Sequence, residues 1–337
     1  MQTKSPSLRA SIIATLRDRR RATGSSSEAR QDMRQAGTLV ASYNVHKCVG
    51  VDGRFDPERI ARVIAEIGPD VIALQEADKR FGERHGLLDL GWLERETRLL
   101  PVPLETRGRS HGWHGNLVLF RQGLVRDVHP VALPGLEPRG AVVVDLDMED
   151  GTPLRLVAAH FGLLRRSRSQ QARMILDIMR AREDRLTLLM GDLNEWRLGR
   201  RSALEALGPA FGSLPAPVPS FPAGLPLLAL DRIIANRPEV LSPVEVHDTP
   251  LARAASDHLP IKAFIDRDLA ALRLAEGAMP GASPSVSATE PAETLPVAGL
   301  LGAETQETRN RELVRKAGAR LKRAVGRTLG RRDGPRG

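Results

Sequence analysis

The sequence predicts an α/β domain over residues 38–268. Three observations predict it. Eight short aliphatic runs rich in β-branched residues read as strands. Amphipathic stretches with helix-start signals lie between some of them. At 41% hydrophobic but only 3% aromatic, the chain can bury a sizeable core, and that core has to be aliphatic.

The elements follow in order. TLVASYNV (38–45) is the first strand. DPERIARVIAEIG follows, with Asp56 as cap, Pro57 in the first turn, and Ile60, Val63, Ile64 and Ile67 on one helix face. DVIALQEA (70–77), HGNLVLF (114–120), GAVVVDLDM (140–148) and LRLVAAHF (154–161) read as the next four strands. SRSQQARMILDIMRARED is a second helix with Met174, Ile175, Ile178 and Met179 as its apolar side. LTLLMGDLN (186–194), LDRIIAN (230–236) and LPIKAFI (259–265) are the last strands. Residues 207–228, rich in Pro and Gly, read as a mobile rim.

The flanks differ in kind. Residues 1–37 lack a sustained period and read as a mobile basic arm. Residues 269–308 have the Pro/Ala/Ser composition of a linker. Residues 309–337 carry eleven basic residues against two acidic ones, with Leu313, Leu321, Val325 and Leu329 at near-helical spacing. That pattern suits a basic amphipathic helix for an anionic membrane surface, with nucleic acid as the alternative. The net charge of +9 therefore sits at the ends, and the body between them is mildly acidic. A body that gripped duplex DNA would carry its own positive face. The single cysteine, Cys48, excludes an intrachain disulfide and suits a reducing compartment. The expected location is the cytoplasm, peripheral at the membrane if the tail docks there, and the expected state is a monomer.

Polar residues recur at the strand ends. SYNVH presents Asn44, LQEAD presents Glu76, AAHFG presents His160, and MGDLN presents Asp192 and Asn194. LDRII opens on Asp231, and SDHLP places Asp257 and His258 before the last strand. Taken singly, Asp192 and Asn44 read as turn residues and His160 as a core histidine. Converging from several strands, such carboxylates and amides form a hard-oxygen cage suited to Mg²⁺ or Mn²⁺. HExxH, CxxC, GxxxxGK[ST] and GxSxG are all absent, which disfavours zinc, nucleotide-dependent transfer and serine-hydrolase chemistry. Glu195 reads as a solvated neighbour of Asn194, and Arg139 as either a phosphate contact or a salt-bridge partner.

In this order the blocks resemble the endonuclease/exonuclease/phosphatase superfamily over about 38–266. HGNLVLF is similar to a strand of that family that puts Asn116 near the site. The resemblance implies a four-layer α/β sandwich, two packed mixed β-sheets flanked by helices, of the DNase I-like type. It also implies roles. Glu76 would hold Mg²⁺ or Mn²⁺ with Asn44 beside it, and Asp257 stands as a second ligand or a support. Asp192 would activate water, Asn194 would hold that water or a phosphate oxygen, and His258, steadied by Asp231, would bind the phosphoryl group with His160. The implied activity is hydrolysis of a phosphate ester, foremost a phosphodiester. SYN with His46, and a single tyrosine at Tyr43, resemble the phosphodiesterase and phospholipase-like branches more than abasic-site repair. A phospholipid-like or small phosphodiester substrate is the expectation. A nuclease acting on DNA or RNA, and a non-catalytic membrane- or nucleic-acid-binding scaffold, are the alternatives.

Overall fold

Alternating side chains divide the strands into two faces, and both faces of every central strand are apolar. Each sheet must therefore be covered twice. The computed structural model describes residues 37–79, 84–105, 109–149, 151–212 and 214–277. The strands are β1 (Gly37–Asn44), β2 (Val71–Gln75), β3 (Leu100–Pro101), β4 (Leu117–Phe120), β5 (Leu124–Leu133), β6 (Arg139–Asp147), β7 (Pro153–His160), β8 (Leu186–Asp192), β9 (Asp231–Ala235), β10 (Glu245–Val246) and β11 (Ile261–Asp266). The helices are α1 (Pro57–Ile67), α2 (Leu90–Thr97), α3 (Arg165–Arg180), α4 (Gly208–Phe211), α5 (Pro250–Ala255) and α6 (Arg267–Gly277).

One sheet has the order β10-β11-β1-β2-β4-β3, the other β5-β6-β7-β8-β9. Both are mixed, with β1 parallel to β2 and β7 parallel to β8. Val40, Val71, Ala73 and Val118 of the first sheet meet Val142, Val144, Leu156, Leu188, Met190 and Ile233 of the second in one buried layer. The first sheet turns its other face, with Leu39, Ala41, Ile72 and Leu74, onto Ile60, Val63, Ile64 and Ile67 of α1. The second turns Val143, Val157, Leu189 and Ile234 onto Ala172 and Ile175 of α3 and onto Leu204, Leu207 and Phe211. This is the four-layer α/β sandwich.

Several elements depart from the sequence reading. β5 has no counterpart in it, because Arg126, Asp127, His129 and Pro130 break the aliphatic run; β5 is an edge strand, where proline is tolerated. Residues 114–116 form a turn ahead of β4. α3 begins two residues earlier than predicted and buries Gln171, Ala172, Ile175 and Leu176, so its core face is rotated away from Met174, Ile178 and Met179, which are only partly buried. The segment 207–228 is not free along its length. Ser220 is fully buried and its carbonyl accepts from Leu259 N–H. The final helix α6 runs through residues predicted as linker, because Ala270 is buried and Leu269 packs on the layer between the sheets. The rest of the predicted arm and linker, and the basic tail, lie outside the described residues.

A chain cut to residues 37–277 is expected to melt in one cooperative transition. Cutting at 266 uncovers the α6 contact, and a loss of about 1 kcal/mol there lowers Tm by roughly 2–4 °C. Thermal melts followed by circular dichroism measure this; equal Tm values for the two truncations would mean that α6 contributes nothing.

Candidate active site

The alternation that builds the inter-sheet core also builds the site. In β8, Leu188 and Met190 face the layer between the sheets, so Asp192 faces the same way one step beyond. The same count carries Leu156 and Ala158 on to His160 in β7, and Val118 back to Asn116 before β4. It carries Val40 on to Asn44 in β1, and Ile233 back to Asp231 in β9. Strand register then sets neighbours: His160 lies opposite Asp192, and Asp192 opposite Asp231. Gly191 makes this possible. Its φ is +146°, and a Cβ there would sit 1.8 Å from the Ala159 carbonyl oxygen, so only glycine fits between the strands.

Asp192 is 2% exposed, so its carboxyl must be satisfied from inside. Oδ2 accepts from Asn44 Nδ2 at 2.9 Å, and Oδ1 accepts from the Asn194 N–H at 2.9 Å. His160 Nε2 and His258 Nε2 stand 3.5 and 3.8 Å from Oδ2. Burial, with Asp231 alongside, pushes the Asp192 carboxyl up to about 6, against the pull of His258 and the two hydrogen bonds. His258 Nδ1 donates to Asp231 Oδ2 at 2.8 Å. Burial opposes charge on that imidazole, but Asp231 and Asp192 outweigh it and push His258 up to about 10. His258 is therefore an imidazolium at neutral pH, beside a carboxyl whose proton affinity burial has raised.

Glu76 occupies the next position round the mouth. It follows β2 with φ +58°, a left-handed conformation that a non-glycine residue holds only when its surroundings fix it. Burial would raise its carboxyl, but His160, Lys47 and Arg139 outweigh burial and hold it well below the usual carboxylate range. Its side-chain partner is the Lys47 ammonium. Asp257 is part-exposed, with Oδ1 3.7 Å from His46 Nδ1.

Two of the predicted side chains are largely committed to the scaffold. Asn116 is fully buried and donates from Nδ2 to the carbonyls of Trp113 (3.0 Å) and Gly140 (2.9 Å), leaving Oδ1 without a partner. Asn194, at φ +52°, donates from Nδ2 to the Phe161 carbonyl at 3.0 Å. Glu195 is not solvated: it is fully buried and ion-paired with the equally buried Arg168, Nε to Oε2 at 3.3 Å.

Sequence reasoning missed two further contributors, Ser220 and Lys47, and had offered Arg139 as a phosphate contact or a salt-bridge partner. Ser220 donates to Asp231 Oδ2, so two donors hold that oxygen. Lys47 sits on Glu76. Arg139, 8% exposed and paired with Glu137 at 2.9 Å, brings Nη1 to 2.8 Å from His160 Nδ1. The signal for Arg139 was its place just before a strand. Cys48, fully buried, has its thiol pushed up to about 12 by burial and by Asp56, which removes it as a nucleophile at neutral pH.

The donors suit a hard divalent cation. Asp192 and Asp231 bring carboxylate oxygens within 4.8 Å of one another beside His258. Among the described residues Asp231 Oδ1 and Asp257 Oδ1 are buried acceptors without hydrogen-bond partners, and Glu76 already attracts a cation in Lys47.

A carboxyl whose proton affinity burial has raised, beside a positive imidazole at the open end of a two-sheet sandwich, suits phosphate-ester hydrolysis and points to the class of metal-dependent phosphoesterases. Residues 41–258 match the Endonuclease/Exonuclease/phosphatase family, and the chain belongs to that family. It is 27% identical over 249 residues to the Escherichia coli (strain K12) protein YbhP, covering 67% of this chain and 95% of the relative. Among solved structures, the endonuclease/exonuclease/phosphatase from Beutenbergia cavernae DSM 12333 superposes with a TM-score of 0.53 at 22% identity, over 68% of this chain and 72% of that one. The mannosyl-6-phosphatase Bt3783 of Bacteroides thetaiotaomicron VPI-5482 gives 0.51 at 16% identity, over 68% and 99%. At these identities the structural likeness is one of fold.

Arg168→Ala leaves Glu195 buried and uncompensated, and is expected to destabilise the protein by about 3–5 kcal/mol. Urea denaturation measures it. A loss below ~1 kcal/mol would mean that the N–H groups of Arg197 and Ala203, which also donate to Glu195, satisfy it without the arginine.

Proposed function

We propose that the protein hydrolyses a phosphodiester with Mg²⁺ or Mn²⁺, and that its substrate is phospholipid-like or another small phosphodiester rather than nucleic acid. The observation that carries this reading is the coupled pair at the strand ends: Asp192, pushed up by burial, beside a His258 kept positive by Asp231. Asp192 takes the proton of the attacking water, and a base whose pKa lies near working pH does this best. Asn44 and the Asn194 N–H fix the carboxyl so that its proton-accepting edge does not rotate. His258 donates from Nε2 to a phosphoryl oxygen, while Asp231, itself held by Ser220, holds the ring from the other side. His160, set by Arg139, adds a second donor. Glu76 would hold the cation, with Asn44 and Asp257 completing its oxygen ligands. The bound ion supplies positive charge to the phosphoryl and leaving oxygens. Asn194 acts through its backbone N–H, since its amide already serves Phe161. Asn116 acts as a support for the turn behind Glu76: its neighbour Gly115 accepts the Ala77 N–H at 3.0 Å. The preference against nucleic acid rests on the mildly acidic body.

Hydrolysis of bis-p-nitrophenyl phosphate with Mg²⁺ or Mn²⁺ tests the chemistry. Asp192→Asn keeps the size and the Asn194 hydrogen bond, and is expected to lower kcat by roughly 10²–10⁴ with a smaller change in KM. Near-normal kcat would place water activation elsewhere. Glu76→Ala, and excess EDTA, are each expected to abolish metal-dependent turnover while circular dichroism stays native. Full activity in either would count decisively against the metal assignment. Plasmid DNA cleaved faster than sphingomyelin or phosphatidylglycerol would replace the lipid reading with the nuclease one.

A further inference from the structure

Two hairpins border the catalytic end of the sandwich. The first, 49–55, is closed by a bridge between Val49 and Phe55, and it continues directly from the turn that carries His46 and Lys47. The second, 221–228, is closed by a bridge between Phe221 and Leu228. It is tied to the site itself: Ala223 N–H donates to the Asp257 carbonyl at 2.7 Å, and the Phe221 ring lies 4.8 Å from the His258 ring. Helix α5 joins the two. Val51 N–H donates to the Ala254 carbonyl at 3.2 Å, and Arg253 Nη1 donates to the Gly224 carbonyl at 2.9 Å. The hairpins are therefore held at fixed positions beside one mouth.

Their tips are apolar and uncovered. Val51 and Phe55 are each 59% exposed, Leu225 46% and Leu227 38%. These are four of the eight large apolar side chains exposed among the described residues, and they sit on two short hairpins that share one helix. Single exposed apolar residues are ordinary, but such a concentration beside a catalytic site marks an interaction surface. The acidic groups near the tips are ion-paired. Asp52 is paired with Arg59 at 3.0 Å and Asp248 with Arg253, while exposed Arg54 has no carboxylate partner among the described residues.

We propose that this rim inserts into a lipid surface, and that the substrate is a phosphate ester carried by a lipid in that surface. The substrate half rests on the phosphodiesterase reading above. Continuity with the site argues for a lipid over a protein partner. A headgroup whose phosphate reaches Asp192 and His258 leaves its apolar body at the hairpins. The unpaired Arg54 would meet neighbouring lipid phosphates. Sequence outside the described residues adds a second attachment of a different kind, the eleven basic residues within 309–337. A basic segment and a small apolar contact are each weak alone and reinforce one another at a membrane.

The two attachments separate by salt, because charge contacts are screened and apolar insertion is not. The full chain and its V51S/F55S/L225S/L227S variant are sedimented with phosphatidylcholine–phosphatidylglycerol vesicles at low and high salt. All four positions are exposed, so the fold should survive, and an unchanged melting curve checks it. At high salt the variant is expected to partition roughly tenfold or more weakly than the parent chain. Its turnover of vesicle-borne phosphatidylglycerol should fall in step, and its turnover of bis-p-nitrophenyl phosphate should stay unchanged. Equal partitioning of both proteins at high salt, or none by either, would overturn the proposal. So would a dimer of the parent chain, seen by light scattering, that the variant lacks, since the rim would then cover a second copy. If neither protein hydrolyses bis-p-nitrophenyl phosphate but the partitioning differs as expected, the surface stands and the phosphodiesterase reading falls.

Discussion

The carboxylate of Asp192 is the constraint on which the rest of the site depends. It is buried at the end of a strand whose other inward side chains are Leu188 and Met190, so water cannot satisfy it. Every neighbour is placed to answer that need. Asn44 and the Asn194 N–H take the two oxygens, and His160 and His258 approach from adjacent positions. The partners come from strands in both sheets, so the hydrogen bond from Asn44 to Asp192 also fastens one sheet to the other at its open end. Breaking the stacking of the sheets would break the site, and the fold and the chemistry share that one contact.

A second carboxylate next door makes the arrangement costly, and cations balance it. Asp231 lies opposite Asp192 in register, and two like charges in a dry layer repel. The protein answers with the His258 imidazolium between them, with Ser220 donating to the same Asp231 oxygen as His258, and with Arg139 and Lys47 round Glu76. The residual strain is visible in the backbone. His46, Lys47, Cys48, Glu76 and Asn194 all hold left-handed φ values without being glycine, each of which costs on the order of 1–3 kcal/mol. Hydrogen bonds such as His46 N–H to Asn44 Oδ1 (3.0 Å) and Cys48 N–H to the Val45 carbonyl (2.8 Å) keep the first turn in place. The strain gathers where polar side chains must leave a strand and turn back into its layer.

Much of this was legible because strands write their facing into the sequence with a period of two. Eight strands and the polar residues at their ends could be read from aliphatic runs alone, since Asn44, His160 and Asp192 each continue an inward-facing alternation. What could not be read lacks that period. Strand β5 carries Arg126, Asp127, His129 and Pro130 because one of its edges meets water. Helices α2, α5 and α6 are short and take their stability from docking rather than from a long apolar stripe. Glu195 and Arg168 look like solvent residues in any local window. Only their pairing across 27 positions makes burial tolerable, and no local pattern encodes a partner that far away. Ser220 was hidden for the same reason, within a Pro- and Gly-rich run whose tie to Asp231 is tertiary.

The same division separates chemistry from specificity. Groups delivered by the sheets all converge on one small volume, and a phosphoryl group of any ester would meet the same carboxylate and imidazoles there. They cannot distinguish a nucleotide from a lipid headgroup, because the difference between those substrates begins several bonds away from phosphorus. That distance is spanned by the connections: 49–55, 221–228 and the segment that follows Asn194. Such connections can change composition without disturbing the register of β7, β8 and β9. A fold shared at 16% or 22% identity therefore shows the sandwich alone, and says little about what is attached to the phosphorus. In this chain two of those connections carry apolar side chains into solvent, at a cost in solubility that nothing in the sandwich requires.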